Sequence, residues 1–259
     1  MMIKNKCRIC QINNADKKNS HIIPKFLSRD LFNSPLGNFA IQIDNNGNNR
    51  KIQSTAKQDY IFCTNCEHRL EILETNVSRI FKKLRQYDNF KNDFTLKYKV
   101  TQAYLELETN PNIFKLFIYS LIYRCSISNN IANKNFKLPD DIESKIRILL
   151  HKDLPYTSHC LANIFNDIEY SKYDFCLIKP ERKNLGYSGM YCTFQYNPGG
   201  YIIVVNDFIL FFHIDESLDR TLKIYSNKCS NKIIITLSDD QRWFLLNKLI
   251  IEKLYPAVS

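Results

Sequence analysis

The sequence has no apolar run long enough to cross a bilayer. The two strongest, FKLFIYSLIYRC at 114–125 and YIIVVNDFILFFHI at 201–214, fall well short of the roughly 20 residues a spanning helix needs, and Asn206 and Asp207 interrupt the second. No membrane partner is expected. Nor does the opening MMIKNKC have an apolar stretch behind its positive charge, so no secretory leader is read there, and a soluble cytoplasmic protein is expected. There is no repeat of roughly 20–50 residues and no low-complexity tract beyond the Asn-rich bend DNNGNNRK at 44–51, which excludes solenoid and array architectures. With 44% hydrophobic and 24% charged residues in 259, wholesale disorder is excluded and a sizeable core is available.

Acidic charge is scarce in one place. Residues 1–100 carry 18 Lys and Arg against 9 Asp and Glu, whereas residues 101–259 carry 18 against 17, so nearly the whole formal charge of +10 lies in the first part. Such a segment attracts polyanions, because each phosphate it neutralises releases condensed counterions. A basic surface kept only for solubility is the plainer alternative. The nine cysteines are odd in number and, in a reducing compartment, read as metal ligands plus buried thiols rather than disulfides.

Along the chain, His21–Ile23 reads as a short extended piece and PKFLSRDLF as a helix with Pro24 in its first turn. AIQI (40–43) and KQDYIFC (57–63) read as strands flanking the Asn-rich bend. From Asn65 a long amphipathic helix is expected, since Leu70, Leu73, Val77, Ile80, Phe81 and Leu84 recur at three and four, with Arg69, Arg79, Lys82, Lys83 and Arg85 on the opposite face. NPNIFKLFIYSLIYRC is apolar almost all round and reads as a buried helix capped by Asn110; its single charge near the end, Arg124, calls for a carboxylate, a phosphate or free carbonyls. PDDIESKIRILLHK (139–152) is another helix. DFCLIK, GMYCTFQY, YIIVV, FILFFHI, LKIYS and KIIITL then read as an antiparallel meander, and Ser238 with Gln241 as a capping box opening the last helix. The fold class is therefore α+β, with an N-terminal domain over 1–92 and a second over 93–259 that has helices about 110–152, antiparallel strands about 157–237 and a closing helix about 239–255. The second part carries no catalytic signature; His151, His159 and His213 stand alone there.

The chemistry is concentrated in the first part. Cys7 and Cys10 form one CxxC, and Cys63 and Cys66 form another in IFCTNCEHRLE. Two such pairs in one chain are a zinc signal, because the ion takes four soft donors in a tetrahedron and each CxxC turn presents two thiolates at suitable spacing. The second pair sits where a strand gives way to a helix, and the helix N-terminus also favours thiolate charge. A redox role is disfavoured because neither pair lies in a βαβ context. The other cysteines, Cys125, Cys160, Cys176, Cys192 and Cys229, lack partners, and four of them read as small buried hydrophobes.

CxxC at 7–10, SHIIP at 20–24 and CxxC at 63–66 resemble the HNH endonucleases, in the subset built on a zinc-bound treble clef; the likeness covers about residues 5–75. SHIIPKFL, CxxCE and the later LIYRCSIS also look like uncharacterised bacterial HNH-like proteins, a looser likeness reaching about residue 130. The resemblance implies a ββα-metal, treble-clef domain on a structural Zn2+, with His21 as the general base that takes a proton from water attacking phosphorus. It also implies a separate catalytic Mg2+ or Mn2+. Ser20 stands where the family has an acidic residue, and Glu67 with His68 follows the second CxxC where the family has histidine; Glu67 or His68 is the expected metal ligand, only one of them facing His21. Asn49 and Gln58 are the nearest counterparts of the family's middle Asn. Lys25, Arg29 and Arg69 are the expected phosphate contacts. The reading is a metal-dependent nuclease cleaving DNA or RNA, suited by analogy to bacterial defence; the alternative is a non-catalytic zinc-stabilised adaptor gripping nucleic acid or protein. The C-terminal part is read as the place that meets a trigger, a protein partner or a second copy.

Overall fold

The structure is a computed structural model that describes residues 5–32, 39–43, 49–55, 57–99, 102–164, 168–181, 190–216 and 218–254. Its first elements are short. They are strand β1 (Ser20–His21), helix α1 (Lys25–Ser28) continued by a 3-10 turn to Phe32, and strands β2 (Ala40–Ile43), β3 (Asn49–Ile52) and β4 (Lys57–Gln58). β2 pairs with β3, and β1 with β4, both antiparallel. The strand expected over 57–63 thus shrinks to two residues, because the backbone beyond it binds elsewhere: Tyr60 N–H donates to the Lys17 carbonyl, while the Ile61 and Phe62 carbonyls accept from Arg8 and Lys17. Helix α2 (Thr64–Arg85) buries Leu70, Leu73, Val77, Ile80, Phe81 and Leu84, as its periodicity requires.

The rest of the chain builds one sheet between helical layers. Strands β5 (Thr95–Lys99) and β6 (Gln102–Leu107) precede helices α3 (Pro111–Ile127) and α4 (Asp140–Asp153); β7 (Asp174–Pro180), β8 (Met190–Asn197), β9 (Gly200–Asn206), β10 (Phe208–His213), helix α5 (Arg220–Lys223), β11 (Ile233–Ser238) and helix α6 (Asp240–Leu254) follow. The strand order is β5-β6-β11-β7-β10-β9-β8. Every pairing in it is antiparallel except β11 with β7, which is parallel, so the sheet is mixed rather than a pure meander. Side chains alternate across it as the pleat demands. Leu105, Leu177, Ile203, Leu210 and Ile235 join the core beneath α2, α3 and α4, whereas Cys176, Ile178, Ile202, Val204 and Ile209 pack with Trp243 and Ile250 of α6.

Burial on all sides explains α3: Phe114, Leu116, Phe117, Ile118, Tyr119, Leu121 and Ile122 are each no more than 3% exposed, and each large apolar side chain so buried contributes about 1.5–3 kcal/mol. The same core runs without a break from Cys7 and Ile9 to Leu237. The division at 92/93 therefore falls inside a shared core.

Three expectations in the second part are corrected, and two strands are added. LKIYS is not a strand but the end of α5 and the turn after it, since Asp219 caps a short helix there by accepting from Thr221 N–H at 2.8 Å. No strand is expected over 95–107, yet β5 and β6 form there, and β6 alternates, with Ala103, Leu105 and Leu107 of QAYLEL buried. Residues 158–163, inside the expected strand region, form a 3-10 turn. Asp239, not Ser238, caps α6: its Oδ1 accepts from Arg242 N–H at 2.8 Å, while Ser238 is still the last residue of β11. The closing helix ends at Leu254 among the described residues; position 255 lies outside them.

Candidate functional site

The four cysteines expected to act together do meet. The sulfurs of Cys7, Cys10, Cys63 and Cys66 all lie within 4.8 Å of one another, with Cys10 and Cys63 at 3.9 Å. They form a site that can hold a metal ion. Local structure explains the approach. Cys63 is the N-cap of α2 and its Sγ accepts from Cys66 N–H at 3.5 Å, while the turn at Cys7–Gln11 is closed by Gln11 N–H donating to the Cys7 carbonyl. Asp16 tethers the helix start, accepting from Thr64 N–H at 2.7 Å. Four sulfurs this close cannot all be ionised unless a cation sits among them: the Cys7 thiol is held low by a hydrogen bond from Cys66, whereas that bond raises Cys66 and burial raises Cys63.

Groups the sequence did not mark hold this cluster. Asn13 points its Nδ2 at Cys63 Sγ (3.8 Å), a donor placed to share thiolate charge. Tyr123 Oη donates to the Arg8 carbonyl at 2.5 Å and Arg147 Nη1 to the Ile9 carbonyl at 3.2 Å, so α3 and α4 grip the first CxxC turn directly. Only a map of long-range contacts reveals these; their spacing from the cysteines carries no signal.

Strand β1 brings His21 next to this frame. Ser20 faces inward and its Oγ donates to Glu67 Oε2 at 2.9 Å, binding the ribbon to the first turn of α2 just beyond Cys66. Alternation turns His21 to the other side of the strand, where it is half-buried, with its Nδ1 buried and without a hydrogen-bond partner. Burial first, then the positive charges of Lys57, Arg124 and Lys25, push the imidazole below its ordinary value of 6.5 and keep it neutral near pH 7. Burial raises Glu67, opposed by the Ser20 hydroxyl and the Arg124 charge.

Glu67 and His68 separate as neighbours on a helix must. Glu67 is the inward one; the side chain of His68 is 63% exposed beside Glu71 at 3.8 Å, so the structure does not bring His68 to His21. Gln58 lies opposite Ser20 and its Oε1 accepts from Asn129 N–H at 3.0 Å, while Asn49 sits in the β2–β3 hairpin.

The basic stripe on α2 is corrected at two of its five positions, while Arg79 and Lys82 stay exposed. Arg69 is 1% exposed, donates to the carbonyls of Leu154 and His151, and lies 4.1 Å from the Tyr156 ring, so it closes the end of α4 instead of offering itself to phosphate. Arg85 likewise binds the Phe26 and Leu27 carbonyls at 2.5 and 2.7 Å. Arg124 has the carboxylate its burial required: Glu74 at 2.6 Å, with the His21 carbonyl at 3.2 Å. Lys25 and Arg29 remain exposed, joined by Lys57 opposite His21. Among the unpaired cysteines, Cys125 and Cys176 are buried as expected, but Cys160 is not: its thiol meets the Thr157 hydroxyl at 3.2 Å and is held low by it.

No family model, curated protein or solved structure matches the chain. No helix among the described residues is long and apolar enough to cross a membrane.

Proposed function

We propose that the four thiolates bind one structural Zn2+ in a treble-clef arrangement and that the chain is an HNH-like nuclease cleaving phosphodiester bonds of DNA or RNA, with His21 as general base. One observation carries this reading. A neutral, half-buried imidazole lies among Lys25, Lys57 and Arg124 on a ribbon tied by Ser20 and Glu67 to the four-sulfur cluster.

The donor set fits zinc: Zn–S bonds of about 2.3 Å in a tetrahedron put sulfurs about 3.8 Å apart, close to the 3.9 Å between Cys10 and Cys63. Bound there, zinc supplies folding free energy by joining the first CxxC turn to the start of α2. His21 then takes the proton of a water that bonds to phosphorus as the P–O bond to the leaving sugar oxygen breaks, that oxygen taking its proton from solvent; a base unprotonated at neutral pH suits the task. Lys25, Arg29 and Lys57 offset the phosphate charge. Apart from the four cysteines, no three His, Cys, Asp or Glu side chains converge among the described residues. They do not by themselves assemble a site for catalytic Mg2+ or Mn2+, and no step here passes through one.

A second reading, the zinc-stabilised adaptor, is favoured by the Ser20–Glu67 hydrogen bond, which engages the acid that follows the second CxxC. Incubating labelled DNA and RNA with wild type and His21→Ala, in Mg2+, Mn2+ or chelator, separates the two. Cleavage that disappears in His21→Ala while metal content and circular dichroism persist supports the nuclease. Salt-sensitive binding without cleavage by either protein supports the adaptor, and neither binding nor cleavage contradicts both.

A further inference from the structure

Tyr60 is poorly explained as a structural residue. It sits at φ 57, a left-handed conformation that a bulky side chain rarely adopts and that glycine would take without strain. The residue nevertheless stays 46% exposed. The backbone is fixed from both sides: Tyr60 N–H donates to the Lys17 carbonyl, and Asp59 Oδ1 accepts from Asn19 N–H at 2.6 Å. An aromatic side chain is therefore exposed on a stretch of backbone held by hydrogen bonds on both sides.

Its surroundings are cationic. Lys18 Nζ lies 6.0 Å from the ring centroid, and Lys17 is close enough to act on Glu67. Lys57 lies three residues before Tyr60 and opposite His21. The acids bonded to this stretch are already engaged: Asp16 and Asp59 each accept a backbone N–H, and Glu67 accepts from the Ser20 hydroxyl. Three residues of chain span at most about 10 Å, so the backbones of Tyr60 and Lys57 lie within about three base steps of one strand.

Resting on the nucleic-acid reading above, we infer that Tyr60 is a base-stacking platform and that the ligand at this ribbon is single-stranded nucleic acid. A solvent-exposed ring beside lysines recognises a base face and the adjoining phosphates; in a duplex, that face is already covered by its neighbours. Lys18 binds the backbone beside the stacked base, and the strand runs from there toward Lys57 and His21.

The test uses the full chain with zinc. Tyr60→Trp adds a fluorophore to a protein whose own single tryptophan, Trp243, is 1% exposed. A 12-nucleotide single strand should quench the added emission, and the matching duplex should not. By anisotropy, Tyr60→Ala should bind the single strand about tenfold more weakly, Tyr60→Phe about as well as wild type, and the duplex should bind both equally. Tyr60→Gly should lose affinity while unfolding at or near the wild-type midpoint, since glycine relieves the strain. Unchanged single-strand affinity in Tyr60→Ala, equal quenching by duplex, or marked destabilisation of Tyr60→Gly overturns the inference and leaves the nucleic-acid reading standing; absence of all binding overturns both.

Discussion

Replacing Arg124 by leucine tests how the site is tied to the core. Arg124 is 2% exposed and joins three elements: Glu74 of α2 at 2.6 Å, the His21 carbonyl of β1 at 3.2 Å, and Ser120 of its own helix. Leucine keeps the packing but strands Glu74, whose side chain is 20% exposed and so only partly able to reach water. Breaking a buried pair on one side costs about 3–5 kcal/mol, and the partial access of Glu74 places this case near the lower end, about 3 kcal/mol. That is a large share of the roughly 5–15 kcal/mol holding a domain together. Urea unfolding of the zinc-loaded protein measures it. Arg124→Leu with Glu74→Leu should recover most of the loss, because no charge is then left unpaired. In addition, the His21 titration followed by NMR should rise toward its ordinary value once a neighbouring positive charge is gone. A single mutant that loses under about 1 kcal/mol, or a double mutant no better than the single, would refute the reasoning.

Further outcomes follow from individual contacts. Arg69→Met should cost about 2–4 kcal/mol by leaving the Leu154 and His151 carbonyls short of a donor, yet leave the salt dependence of oligonucleotide binding unchanged, whereas Lys25→Ala or Lys57→Ala should lower that salt slope by about one. Folding depresses His21 below its ordinary 6.5, so below that pH the unfolded chain binds more protons and stability falls as pH drops; His213, also depressed by burial, acts in the same direction. In denaturant titrations from pH 7 to pH 5, His21→Gln should flatten, though not abolish, this loss. Asp239→Ala should cost about 1 kcal/mol in thermal or urea unfolding through the lost cap of α6.

What the sequence made legible was periodic or ligand-like. The face of α2, the all-round burial of α3 and the strands with strongly apolar texture could be read because burial imposes a pattern on the residues themselves. The cysteine cluster was readable because two CxxC pairs have little else in common to do. β5 was missed because its five residues are all exposed at the sheet edge, and the parallel β11–β7 pairing was missed because register between distant strands leaves no local trace. The ribbon carrying His21 was read as extended over 21–23, but its partner was not, because two residues paired across 36 and 38 positions leave too little chain for alternation to show. Arginines misled for another reason: periodicity gives a helix face, not whether a loop will later cover it, and Arg69 is covered by the turn after α4.

Metal analysis of the purified chain, by native mass spectrometry alongside elemental quantification, bears most directly on the four-sulfur centre. One zinc ion per chain is expected in wild type and none in Cys66→Ala, with the variant losing cooperative unfolding because Cys7, Ile9 and Cys63 belong to the shared core. A metal-free wild-type protein that unfolds as cooperatively as the zinc-supplemented one would contradict the account.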